Sequence, residues 1–112
     1  MDCVFHLSTD DDKKKNELLN NVANLLRDDT VEVENVSVVL NSSAVSIALE
    51  DSEVSSRIKK LCELGVEIEL CSNSVESSSY GEEDFIDAAD LVPSGVGRLN
   101  QLQDRGYNLV RV

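Results

Sequence analysis

Residues 52–71 read SEVSSRIKKLCELGVEIELC. Val54, Ile58, Leu61 and Cys62 share one face at helical spacing, and Gly65 stands where a helix-ending glycine belongs. Val66 to Cys71 then alternates with the period of a strand. The stretch therefore predicts a helix over 52–64, capped by Ser52, that runs into a strand over 66–71. A helix feeding a strand within so few residues is half of a βαβ crossover, and the same alternation continues in both directions.

Upstream, DCVFHL (2–7) is short and apolar and reads as a strand. Leu18, Leu19, Val22, Leu25 and Leu26 form an apolar stripe, which predicts a helix over 10–29 with Thr9 or Asp10 as cap. NVSVVL (35–40) reads as a second strand. Residues 43–49 are read as a short helix. Downstream, SNSVESSS (72–79) is polar and serine-rich and reads as a loop or loose turn, and residues 82–86 as one helical turn. A short strand over 88–92 ends at Pro93, a helix over 96–105 follows with Ser94 as cap and Gly106 as stop, and a last strand covers 107–112. Strands alternating with helices imply an α/β fold, a three-layer α/β/α arrangement with a mainly parallel sheet of about five strands. No linker, boundary or repeat interrupts residues 1–112, which read as a single domain.

Composition narrows the function. The chain of 112 residues carries 22 acidic side chains against 10 basic ones, a formal charge of -12. A field this negative repels phosphate, so nucleic acid is not an expected partner. No apolar stretch is long enough to span a bilayer, so no membrane partner is expected. The first residues lack a signal-peptide layout, so the expected location is the cytoplasm. The acids are dispersed. That fits a surface that stays soluble at high salt, as in a halophilic source, and equally an ordinary acidic cytosolic protein.

Cys3, Cys62 and Cys71 are an odd number without a secretion signal, which argues against a disulfide framework. With no CxxC and a single histidine, no zinc site is expected, and no GxGxxG, P-loop or GxSxG motif calls for a cofactor or a serine nucleophile. In open parallel sheets sites gather beyond the carboxyl ends of the strands. That rule selects His6 with Leu7 and Ser8, Asn41 with Ser42 and Ser43, Cys71 with Ser72, Asn73 and Ser74, and Pro93 with Ser94 and Gly95. Cys71 would face the free amides of any helical turn that follows, which favours thiolate. If the first and third strands are neighbours, His6 reaches it. The competing reading of Cys71 is a small apolar residue closing a strand. Cys3 and Cys62 read as buried small hydrophobes.

VFHL, LLNNVANLL, VSVVLNSSAV, IKKLCELGVEIELCSNS and VPSGVGRLNQLQDRGY, in this order along the chain, resemble the DsrE/DsrF-like sulfur-relay family. The resemblance implies a compact α/β/α fold, assembly as a homotrimer or homohexamer, and a sulfur carrier or sulfurtransferase subunit working between sulfur donor and acceptor proteins. In active members a cysteine after the third strand takes up sulfane sulfur as a persulfide, and Cys71 matches that position. Ser72 and Asn73 match the adjoining turn, and His6 matches a histidine at the end of the first strand. The serine-rich segment after Cys71 departs from the apolar helix of sulfur-relay subunits.

An exposed Cys71 would suit this chemistry, because persulfide exchange depends on thiolate fraction and access. The Asn73 side chain is expected to donate to the persulfide anion, and His6 to hold a proton or orient the thiol. The alternative is a non-catalytic oligomeric binding or regulatory subunit, in which Cys71 is buried and inert. A cysteine hydrolase is a weaker third reading, because no acidic residue stands at a recognisable spacing to orient His6.

Overall fold

A computed structural model describes residues 1–112. The order is β1 (Asp2–Leu7), α1 (Asp12–Arg27), β2 (Asn35–Leu40), a 3-10 helix (Ser42–Ala48), α2 (Ser55–Glu63), β3 (Glu67–Cys71), α3 (Ser72–Ser77), a 3-10 turn (Glu82–Asp84), β4 (Asp90–Val92), α4 (Gly95–Asp104) and β5 (Asn108–Arg111). The five strands form one all-parallel sheet in the order β4-β3-β2-β1-β5. The fold is α/β, with helices on both faces of the sheet. No helix is long and apolar enough to cross a membrane.

Strand parity assigns the two faces. Cys3, Phe5 and Leu7 of β1, Val36, Val38 and Leu40 of β2, and Ile68 and Leu70 of β3 join the larger core of 23 buried residues, with Leu18, Leu19 and Val22 of α1 and Ile58 and Leu61 of α2. Each such side chain contributes about 1.5–3 kcal/mol by leaving water. The opposite face is thinly packed. Only Val4, Val39, Leu99 and Leu102 form its apolar cluster, beneath α4. His6, Glu69 and Cys71 share the parity of Val4 and Val39, so they project on this α4 side.

The helix starts differ from the sequence expectation for a local reason. Asp11 caps α1 by accepting from the Lys14 amide at 3.1 Å, while Thr9 Oγ1 accepts from the Asp11 amide. Ser52 accepts from the Val54 amide inside a turn, and α2 begins only at Ser55. Gly65 and Gly106 take φ of +99° and +92°, closing α2 and α4 as the sequence predicts. The expected loop over 72–79 is a correction: residues 72–77 form α3, with Val75 buried in the larger core. Burial of that one apolar side chain outweighs the weak helix propensity of the serines.

Candidate thiol site at the carboxyl end of the sheet

β3 ends at Cys71, and the chain turns there directly into α3. Helix α3 directs the Asn73 and Ser74 amides at the thiol, and the first residue of α4 adds the Gly95 amide. The Ser74 side chain stands beside the sulfur as well, and its Oγ accepts from the Ser42 amide at 2.7 Å. Ser42 holds that amide in place with φ +51°, a left-handed conformation that a non-glycine residue adopts against steric resistance.

Burial pushes the Cys71 thiol up, but the hydrogen bonds from Ser74, Gly95 and Asn73 together outweigh it, and the thiol lies below its ordinary value. Cys3 and Cys62 lack such donors and are pushed up, both by burial, with Asp90 adding to the effect at Cys62. Cys3 is buried as the sequence suggests, whereas Cys62 is only half-buried.

Cys71 itself is not exposed. Its residue is 6% accessible, against the expectation of an open strand-end thiol. A polar cleft of about 620 Å³ lined by Ser42, Ser43, Asn73, Ser74, Ser77 and Tyr80, among others, opens beside the start of α3. Ser74 belongs both to the cleft wall and to the thiol's hydrogen bonds, so the sulfur lies one hydroxyl behind the cleft.

The remaining sequence candidates divide. Strand β2 separates β1 from β3, so His6 stands two strand spacings, roughly 10 Å, from the line of Cys71. Its recorded hydrogen bond joins Nε2 to Asn41 Oδ1 at 3.0 Å. With the amide oxygen accepting, Nε2 carries the proton. Asn41 in turn packs on Gly95, where a Cβ would lie 2.6–2.8 Å from its amide atoms. Any larger residue there would force either the Asn41 side chain or α4 to move. His6, Asn41, Gly95 and Cys71 thus form one chain of contacts, with His6 at its far end. Asn73 offers its backbone amide to the sulfur rather than its side chain, which is exposed. Ser94 caps α4 by accepting from the Gly97 amide at 3.1 Å. Ser72 is half-buried and makes no side-chain hydrogen bond. No three His, Cys, Asp or Glu side chains converge to hold a metal.

A family model matches residues 1–112 from end to end. The chain belongs to the DsrE/DsrF-like family. This DsrE-like protein is similar to a solved structure, the protein of unknown function MTH1491 from Methanobacterium thermoautotrophicum, with 33% identity over 99% of this chain and 98% of that one and a TM-score of 0.93. It shares its fold with BT1422 from Bacteroides thetaiotaomicron, also of unknown function, at 14% identity, 99% and 94% coverage and a TM-score of 0.66. No curated protein matches it.

Ser42 and Ser74 stand among the strand-end residues that the sequence selects, but with no role assigned to either. Serines are common in this segment, and nothing in their spacing separates the one that touches the sulfur from the others. A buried pair on the α4 face, Glu69 with Arg98, was missed: Glu69 Oε2 accepts from Arg98 Nε at 2.7 Å.

Proposed function

We propose that the protein is a sulfur carrier in which Cys71 accepts sulfane sulfur and passes it to a partner thiol. The observation that supports this reading is the convergence of the Ser74 hydroxyl and three backbone amides on a single thiol, which favours its anion despite burial. The Cys71 thiolate attacks the sulfane sulfur of a donor persulfide. A new S–S bond forms on Cys71, the donor's S–S bond breaks, and the donor leaves as a thiolate. An acceptor thiolate then attacks the terminal sulfur, takes it as a new persulfide and restores Cys71 as thiolate. Both steps are exchanges with no net oxidation. The same donors that favour the thiolate suit the persulfide anion. Rotation of the Ser74 side chain opens the sulfur to the serine-lined cleft. Sulfur donor and acceptor proteins, and assembly as a homotrimer or homohexamer, belong to the same proposal.

A second reading draws on the 6% accessibility of Cys71: a non-catalytic oligomeric subunit in which the thiol only closes a strand. Intact mass after incubation with a polysulfide donor, followed by peptide mapping, separates the two. The carrier gains one sulfur on Cys71, removable by reductant, and Cys71→Ser gains none at equal folding. A wild type that stays unmodified with Cys71 intact and reduced, or a Cys71→Ser variant that loads as well as the wild type, overturns the carrier.

A further inference from the structure

Glu69 is the one buried side chain among the 22 acids of the chain, at 4% accessibility. It stands two residues before Cys71 on the same face of β3. The two side chains therefore project side by side beneath α4. Arg98, which holds Glu69 Oε2 at 2.7 Å, lies in the first turn of α4, and its own amide donates to Ser94 O at 2.9 Å. Gly95, whose amide faces the sulfur, opens that same turn.

Apolar packing does little to hold this turn. The small cluster on this face anchors α4 through Leu99 and Leu102, further along the helix. Val96 is 61% exposed and Gly97 is exposed. Stability gives no reason for the pair either. Replacing a buried ion pair by apolar side chains of similar volume is often neutral or favourable. Burial pushes the Glu69 carboxyl above its ordinary value, and Arg98 and the neighbouring Ser37 hydroxyl only partly oppose it. What the pair does supply is a fixed tether between β3 and the helical turn that carries the thiol-facing amide.

The geometry points to Glu69 and Arg98 as positioning residues that tie the first turn of α4 to β3 and so hold the Gly95 amide against Cys71. The inference rests on the reading of Cys71 as the reacting thiol. Other charged or titratable groups lie near this pair. Glu67 stands on the same strand, Asp90 is opposite Glu69 on β4, and Tyr107 leads into β5.

The test is the pH profile of Cys71 alkylation, mapped by peptide, in the full chain with Glu69→Met, which keeps no acceptor for Arg98, and with the double variant Glu69→Met/Arg98→Met. Melting of each variant is measured alongside. Positioning and simple electrostatics predict opposite signs for Glu69→Met. Removing a nearby negative charge lowers the midpoint of thiol ionisation. Releasing the tether raises it, because the thiolate loses a donor. The expected result is a rise in both variants by about one pH unit, a roughly tenfold loss of thiolate near neutrality. A folded variant whose midpoint is unmoved or lowered overturns the inference. The double variant leaves no unpaired charge, so it carries the test even if Glu69→Met alone does not fold. Persulfide loading of the wild type is scored separately. Its absence would overturn the carrier reading while the alkylation midpoints still judge the tether.

Discussion

Gly95→Ala adds a single methyl group at the tightest contact of the site. The new Cβ would lie 2.6 Å from Asn41 Nδ2, 2.7 Å from Oδ1 and 2.8 Å from Cγ. Comfortable separations for heavy atoms begin near about 3.5 Å, so one side must retreat by roughly 0.7–0.9 Å. If Asn41 retreats, its 3.0 Å hydrogen bond to His6 is broken. If α4 lifts instead, the Gly95 amide leaves Cys71. The first route loses a neutral hydrogen bond, about 1 kcal/mol, and the second a bond to an anion, about 1.5–3 kcal/mol. Alanine's better helix propensity returns up to about 1 kcal/mol. The net loss of stability therefore lies between about zero and about 3 kcal/mol, a fall in melting temperature of up to roughly 13 °C. The chemistry of the site is the sensitive reporter. His6 is the only histidine, so its ring protons are assigned without further labelling. Proton NMR of His6 and the pH profile of Cys71 alkylation are measured on the same sample. At least one of them must shift, and which one shifts tells which neighbour moved. A folded Gly95→Ala protein in which both superimpose on the wild type refutes the geometry of this contact.

Leu102, fully buried in the thin layer under α4, loses about 2–5 kcal/mol of stability on truncation to alanine, read from urea unfolding. Asp11→Ala removes the cap of α1 and lowers stability by about 1 kcal/mol in the same assay. Cys71 is held in the fold below the ordinary thiol value of 9.0, so its ionisation contributes stability that is fully present above that value and lost as pH falls through the lower folded one. The stability difference between wild type and Cys71→Ser therefore grows as pH rises from neutrality towards 9.0, and a flat or falling difference in chemical denaturation contradicts the donor arrangement. Cys3 and Cys62 are common to both proteins and drop out of the comparison. At a net charge of -12, raising salt screens self-repulsion and raises the melting temperature, and an unchanged melt between low and high salt argues against a surface adapted to salt.

Much of this was legible in the sequence because hydrophobic period and glycine placement act locally. The stretch 52–71 gave a helix, a φ-positive glycine and a strand, and the same logic placed all five strands within one or two residues of their ends. The rule that parallel sheets bear sites at their carboxyl ends selects His6, Asn41, Cys71 and Gly95 from the sequence alone. What was not legible depends on which strands adjoin and on what covers each face. Strand order is not encoded in spacing, so the proximity of His6 to Cys71 stayed conditional, and β2 lies between them. In VEIELC the alternation suggests solvated glutamates, and Glu67 is indeed exposed. Glu69 is buried because α4 crosses the second face at that level, a fact no local pattern carries. Serine content marked residues 72–79 as loop, although Val75 needed a helical turn to reach the core.

The donors around Cys71 come from two separate stretches of chain, and the second of them, at Gly95, lies beyond β4. A ribosome releases the segments in order. While Cys71 has emerged and α4 is still in the exit tunnel, the thiol lacks its final amide and the helix that covers it. It is then an ordinary cysteine on an unfinished sheet, with little thiolate to be oxidised. Its lowered thiol pKa and its shelter arrive together when α4 docks, so the newborn chain carries at this position a thiol less ready to ionise than the finished one.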